Sequence, residues 1–411
     1  MNVDLQQILS NYKAALDSEL QQILTYWQNN TLDKIHGGFV GAIDDENNEI
    51  PNAPKSAILN CRILWTFSTA YNVTKQPNLL AIATTAFNFI QLHFIDKKNG
   101  GIFWMLHANA SVLDAKKQVY ALAFAIYGYS TYFIASNNVH AKQAAIQLFE
   151  LIEQHCFDVH NTGYFEAFSA TWQPIDDVRL SAKDANEKKT MNTHLHVLEA
   201  YTLLYKIWPN AFLKTKIVLL ISNFTNYFID KNTNQSILFF NEKWVPKSTI
   251  TSYGHDIETA WLLVKAAEEL QLPALLKSIQ NVAEKLAHAS LQGIDKDGGM
   301  WYEIDNHSQT LIKEKHWWVQ AEAMVGFFNT WQHSKNTLYL HQSLLSWHFV
   351  QQKIKDTQFG EWRWGIDANG SPMKNKDKVG SWKCPYHNAR ACIEISVSIQ
   401  NMIQSFQHIN A

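Results

Sequence analysis

A turn made of glycine and an aromatic residue returns through this chain at intervals of roughly sixty residues. It reads His36-Gly37-Gly38-Phe39, then Asn99-Gly100-Gly101-Ile102-Phe103-Trp104, then Thr162-Gly163-Tyr164-Phe165. A copy without glycine follows near Ile237-Leu238-Phe239-Phe240. Asp297-Gly298-Gly299-Met300-Trp301 and Phe359-Gly360-Glu361-Trp362-Arg363-Trp364 close the series. Two stretches of helical periodicity follow each copy. Six units of two helices predict an all-α protein, a closed ring of paired helices with short β-like turns and loops at one mouth. Length alone would suggest two or three domains. Repeats that share one core cannot be cut apart, so residues 1–411 are expected to form one domain.

The apolar spacing places helices at 4–28, 56–73, 78–95, 115–135, 139–156, 190–207, 210–230, 255–270, 274–291, 316–332, 336–353 and 386–405. Pro77, Pro209 and Pro273 stand at turns between paired helices. Two stretches, 172–189 and 365–383, are polar and irregular, and loops of that length are usually functional or disordered. The first is expected to lie over one mouth of the ring.

Bulk composition excludes several partners. A formal net charge of -2 gives no pull toward nucleic acid or anionic lipid. The opening Met1-Asn2-Val3-Asp4-Leu5-Gln6-Gln7 lacks the basic and apolar regions of a secretory signal. No apolar run is expected to span a bilayer. Cys61, Cys156, Cys384 and Cys392 have no metal-type spacing, which points to a reduced, cytoplasmic setting. A monomer is the default expectation.

The first helix of each pair begins near Lys55, Ala115, Thr190, Gly254, Lys315 or Cys384, and polar groups gather in these opening turns. If the six form an inner ring with their starts at one end, those side chains converge there. His255 and Glu258 are three apart and share a helix face, where a carboxylate could set the imidazole's tautomer. His387 follows Pro385 near a helix start, flanked by Trp382 and Tyr386. Asn192 and His196 lie four apart on one face, while His194 points elsewhere and is read as structural. His194-Leu195-His196 lacks further ligands at a zinc spacing, so no metal site is assigned. Trp317 and Trp318 precede Glu322 by about a turn, and Arg62 interrupts an apolar helix, where a charge must be paired or meet a polar ligand. The chain carries 15 Trp, several in loops or at helix starts (Trp104, Trp301, Trp317, Trp318, Trp362, Trp364, Trp382), and such rings stack on the C–H faces of sugars.

At these residues the chain resembles the N-acylglucosamine 2-epimerase family, and within it the cellobiose 2-epimerase branch. The resemblance rests on Ser56 to Ser68 around Arg62, Met191 to Tyr201, Tyr253 to Glu258, Trp317 to Glu322 and Lys383 to Asn388, and runs over nearly the whole chain. It implies an (α/α)6 barrel, in agreement with the helix-pair count. It implies that His255 and His387 are the acid/base pair, that His196 assists at the sugar's reactive end, and that Arg62 holds the carbonyl or enediolate oxygen. It further implies that Tyr120 and Asn192 contact sugar, that Trp318 and Trp382 stack on it with Trp317 nearby, and that Glu258 and Glu322 orient or polarise the histidines.

The chemistry so implied is physically coherent. Epimerising an aldose at C2 needs ring opening, removal of the C2 proton beside the C1 carbonyl, and return of a proton to the opposite face. Two histidines with ordinary pKa values of about 6.5, one neutral and one protonated, suit both tasks at neutral pH. A fixed cation suits the charge that grows on O1. No redox cofactor or metal is needed. The expected substrate is a reducing-end glucose or mannose unit, in a cellobiose- or lactose-type disaccharide. The alternative is a mannose 2-epimerase or aldose–ketose isomerase acting on free monosaccharides. A glycoside hydrolase would need two carboxylates flanking the bond, and a non-catalytic sugar-binding protein would have no use for the histidines.

Overall fold

The computed structural model describes residues 3–409, with side chains described from 4 to 405. Twelve α-helices form two concentric rings among these residues. The inner ring is α2 (Ala57–Thr74), α4 (Val119–Ser136), α6 (Met191–Ile207), α8 (Tyr253–Glu269), α10 (Trp317–Ser334) and α12 (Tyr386–Ile409). Each packs on the next, and α12 closes on α2. The outer ring is α1 (Val3–Asn30), α3 (Pro77–Phe89), α5 (Val139–His155), α7 (Ala211–Asn223), α9 (Pro273–Ser290) and α11 (Thr337–Phe349). Helices α3, α5, α7, α9 and α11 pack on the inner helix before them, and α1 packs on α12. The chain's two ends thus complete one pair, which makes the barrel (α/α)6.

The expected helices are present, with shifted ends. The helix expected from 115 starts only at Val119: Lys117–Gln118 is a short strand that pairs with Ala167–Phe168. The helix expected at 210–230 is α through Asn223 and closes in a turn of π-helix, Phe224–Phe228. Pro77 and Pro273 occupy the first turns of α3 and α9, where a missing N–H costs nothing. One helix, α4, is long and apolar enough to cross a membrane by length and composition, contrary to the expectation from the sequence. It stands in the inner ring and is mostly buried, which accounts for its apolar character.

Two-residue ribbons tie the units together at one mouth. Lys55–Ser56 pairs with Met105–Leu106, Lys189–Thr190 with Phe239–Phe240, and Lys315–His316 with Gly365–Ile366. Each ribbon joins the start of an inner helix to the aromatic turn of the next unit, which fixes the inner helix starts at the same end.

Beneath the ribbons lies a repeated ion pair. Lys55 meets Asp33 at 2.6 Å, Lys117 meets Asp96 at 2.7 Å, Lys189 meets Asp158 at 2.8 Å and Lys315 meets Asp295 at 2.7 Å. Each lysine is buried just before an inner helix, and each aspartate opens a Gly-aromatic turn. In the glycine-free fourth unit Thr251 stands at the lysine's place, and Asp230 accepts from Asn232 and Thr233 of its own turn. A second pin lies at the fourth residue of α6, α8 and α10. His194, Asp256 and Gln320 accept the backbone N–H of Tyr164, Ser236 and Met300 respectively, at 2.8, 2.6 and 2.8 Å. His194 touches the turn so closely that Gly163, at φ +79°, has no room for a Cβ: it would lie 2.8 Å from His194 Nε2 and 2.6 Å from Trp244.

Candidate active site

The starts of the inner helices surround a cavity of about 530 Å³. Arg62, Tyr120, Asn192, His196, His255, Glu258, Trp317, Trp318, Trp382 and His387 all line it. Glu322 does not; it acts from behind His387. The residues singled out in the sequence therefore converge at one mouth, although they come from six different helices or their flanking loops. The loop expected over this mouth is there, since residues 178–185 and Glu187 line the cavity. Its backbone is held to α4 by Gln118, whose Nε2 donates to Arg179 O at 2.8 Å. The 365–383 loop contributes Trp382 at its end, and is anchored by the pairing of Val379 with Ile43. Trp364 also lines the cavity, whereas Trp362 is core, with Nε1 donating to Glu19 at 2.8 Å.

Two groups of side chains face one another. In one, Trp318 stands against both His255 and His387, with ring centroids 4.7 and 5.8 Å apart. In the other, Tyr120 lies edge-on to His196 at 5.0 Å and 6.1 Å from Trp382. Arg62 lies beside Tyr120, its Nη2 donating to the phenol oxygen at 2.7 Å. Its remaining neighbours are the faces of Phe124 and Tyr386, at 4.2 and 4.8 Å, and the weak acceptor Cys384 Sγ at 3.8 Å. No carboxylate pairs with this buried guanidinium among the described residues, and its Nε is unpartnered. Asn192 Oδ1, Trp317 Nε1 and Trp364 Nε1 are likewise buried without partners. Unmet polar groups of this kind are costly unless a ligand meets them.

The histidines differ in support. His387 Nδ1 donates to Glu322 Oε1 at 2.7 Å, and His196 Nδ1 donates to Glu199 Oε2 at 2.9 Å. A proton held on Nδ1 leaves Nε2 as the basic atom. His255 is supported otherwise than its sequence spacing suggested. Its Nδ1 lies 2.8 Å from Ser252 Oγ, while Glu258 turns to Arg390 Nη2 at 2.5 Å. The three-residue His–Glu spacing expected at 255 and 258 forms its hydrogen bond at 196 and 199 instead. Burial, with the charge of Glu322 beside it, raises the pKa of Glu258.

The acid/base expectation needs a further correction. Burial pushes His255 down to about 3, helped by His196 and Lys183. Burial, with Arg62 and Arg390, holds His387 well below its ordinary value. Burial thus favours the neutral form of both imidazoles, where the expectation was one neutral and one protonated.

Glu199 and Arg390 were not singled out from the sequence. Arg390 Nη1 contacts Glu199 Oε1 and the Tyr386 hydroxyl, and its Nη2 contacts Glu258 and Glu322. Glu258, Glu322 and His387 also bring ligand atoms within 4.8 Å of one another, a metal-type grouping. The Arg390 guanidinium already lies on two of those three groups, at 2.5 and 2.6 Å, so a cation there would compete with it. His194 is structural, as expected, with Nδ1 donating to Thr190 O at 2.7 Å and Nε2 accepting from Tyr164.

An (α/α)6 barrel with imidazoles, an unpaired guanidinium and indole rings around one cavity defines a sugar-converting enzyme class. Comparison with known proteins narrows it. The family model for N-acylglucosamine 2-epimerase matches residues 37–391, and the chain belongs to that family of carbohydrate epimerases. The cellobiose 2-epimerase of Bacteroides fragilis is 43% identical over 93% of this chain and 98% of its own length. The structure of the Spirochaeta thermophila cellobiose 2-epimerase superposes with a TM-score of 0.92 at 32% identity, covering 98% of this chain and 100% of that one. The D-mannose isomerase of Marinomonas mediterranea is more distant, 22% identical over 93% of this chain and 96% of its own.

Proposed function

We propose that this protein interconverts the glucose and mannose configurations at C2 of a reducing-end sugar, with a cellobiose-type disaccharide as its substrate. The observation that carries this reading is the unpaired Arg62 guanidinium, buried among aromatic rings at the edge of a cavity that His255 and His387 also line. A buried cation without a counter-charge suits an anion that exists only during the reaction. The relatives named cellobiose 2-epimerase support the substrate, and Trp382 offers a face for a second ring.

In this mechanism the open-chain aldose places C2 between His255 and His387, with O1 at Arg62. One histidine removes the C2 proton through Nε2 and becomes an imidazolium. The electron pair of the broken C–H bond passes into the C1–C2 bond and onto O1, giving a cis-enediolate. As negative charge develops on O1 the other histidine takes up a proton from solvent and returns it to the opposite face of C2, the electrons collapse back to the C1 carbonyl, and the first imidazolium releases its proton to solvent. Glu322 stabilises the imidazolium of His387 through Nδ1–H. Arg62 helps hold His387 neutral; negative charge on O1 cancels that field and raises the proton affinity of the pair when it is needed. Tyr120 and Asn192 contact sugar hydroxyls, Trp317 and Trp318 wall the site, and Glu258 presents a carboxyl group to the cavity. Residues 1–411 act as one catalytic unit and as a cytoplasmic monomer, the compartment in keeping with four free, buried cysteines.

The test is incubation with cellobiose, and separately with mannose, in D2O, followed by NMR. The C2 epimer with deuterium at C2 is the expected product, with cellobiose converted faster. Ketose as the main product would move the assignment to an aldose–ketose isomerase, and absence of exchange with both sugars would reject the two-histidine mechanism.

A further inference from the structure

Below the cavity, one guanidinium holds carboxylates from three different helices. Arg390 of α12 is fully buried and does not line the cavity. It meets Glu199 of α6, Glu258 of α8 at 2.5 Å and Glu322 of α10 at 2.6 Å. Two of these carboxylates continue to imidazoles, Glu199 to His196 at 2.9 Å and Glu322 to His387 at 2.7 Å. His196 and His387 are thereby joined through a single planar fork.

We propose that Arg390 is a positioning residue: by binding Glu199 and Glu322 together it keeps both as acceptors, so that His196 and His387 carry their protons on Nδ1 and turn Nε2 to the sugar. The role in turnover rests on the epimerase reading above; the tautomer assignment does not. A protonated carboxyl could donate to Nδ1, move the imidazole proton to Nε2 and abolish the base. Three buried carboxylates without Arg390 would take up protons in this way, because like charges so close cannot all ionise. With Arg390 present the burden falls on Glu258, whose pKa is raised, while Glu199 stays ionised at about 2 against the effect of burial, held by Arg390 and its bonds from His196 and Tyr386. An ammonium cannot reproduce a fork to three carboxylates.

The charged and titratable groups facing this layer are Arg62 on α2, Tyr120 and Tyr127 on α4, His196 on α6, His255 on α8, and Tyr386 and His387 on α12. Arg390 adds to the positive field that keeps His196 and His387 neutral. The test compares Arg390→Lys with wild type, and the double variant Arg390→Met/Glu258→Gln with Glu258→Gln alone; the double variant loses the guanidinium together with one of the three carboxylates it holds, and circular dichroism and Tm check that it folds. Imidazole 15N NMR of the wild type should show the Nδ1–H tautomer at His196 and His387. In the double variant one or both should move to Nε2–H. Turnover should fall on the order of 10²–10⁴-fold in kcat, as expected for a histidine in the wrong tautomer, with KM nearly unchanged. The acid limb of the pH profile should move upward in the double variant and stay in place in Arg390→Lys, which keeps the charge. Unchanged tautomers, or a loss of kcat in the double variant with no movement of the pH profile, would overturn the proposal. A wild-type protein with the expected tautomers and no C2 exchange would overturn the epimerase reading alone.

Discussion

Histidines held toward their neutral form make a specific demand on the reaction. His255→Ala and His387→Ala should each lower kcat on the order of 10²–10⁴-fold, as loss of a positioned acid or base does, with circular dichroism unchanged; near wild-type turnover in either would remove that residue from the chemistry. Because burial holds both imidazoles below their ordinary value, the basic form persists in acid. The profile of kcat/KM against pH should therefore stay flat well below pH 6, whereas a solvent-like histidine would impose a limb near 6.5. At this scale the sequence disclosed many of the residues that face the cavity, and Glu322 behind it, but missed Tyr302, Glu303 and His316 in its wall and Glu199 and Arg390 beneath it. His196, His255, His387 and Arg62 are conspicuous because polar groups near helix starts in an apolar context are unusual. Glu199 and Arg390 lie in equally helical stretches, where a glutamate or arginine ordinarily marks a solvated face, and only closure of the ring, which lets Arg390 of α12 reach Glu199 of α6 across the barrel, turns them inward. The spacing of His255 and Glu258 was read correctly as one helix face. It could not show that Arg390 draws the carboxylate away.

The repeated lysine–aspartate pair explains why units so different in sequence present their helices in register. Lys117 is completely buried and its partner Asp96 nearly so, with Asp96 drawn down to about 2 against burial by Lys117 and the turn's own amides. Removing one partner leaves an uncompensated buried charge, which costs about 3–5 kcal/mol. Lys117→Met is expected to lower unfolding free energy by that amount in urea titrations, and the double variant Lys117→Met/Asp96→Asn should recover part of it. A loss below about 1 kcal/mol would show that the pair behaves as an exposed one. The glycines of this turn were visible in the sequence, and the lysines were not, because a single lysine before a helix carries no periodic signal of its own. It becomes legible only when the six helix starts are aligned on each other. The same holds for the extended residues 117–118, which helical periodicity absorbed into α4.

The ring as a whole was legible because its period is long and repeated, and the closure of α12 on α2 with α1 packed outside α12 follows from the even number of helices. What the sequence could not give is the summed electrostatics of an interior assembled from six helices, and that sum governs how the molecule responds to pH. His194 is held near 3 by burial, against its hydrogen bond to Thr190. Its two nitrogens are already committed, Nδ1–H to Thr190 O and Nε2 to the N–H of Tyr164, so a second proton would face a donor. Between about 3 and the unfolded value near 6.5 the unfolded chain binds the extra proton and the folded one does not; stability therefore falls as pH falls through this window, by up to about 1.4 kcal/mol per pH unit for each such group. His255 adds to the same acid limb. Glu166 has the opposite sign. Burial raises its pKa to about 8, against bonds from Thr193 and Thr190, so the folded state keeps a proton that the unfolded state loses above about 4.5, and stability declines as pH rises toward 8. The opposed limbs place maximal stability in the weakly acidic range. The repeat itself supplies the control. In the fifth unit Gln320 takes the place of His194, accepting from Met300 N and donating to His316 O with a group that does not titrate near neutrality. His194→Gln should thus preserve the turn while making the acid limb shallower, read as a smaller fall in Tm between pH 6.5 and 4.5 than in wild type. An equal fall in both proteins would show that His194 does not contribute to the acid limb.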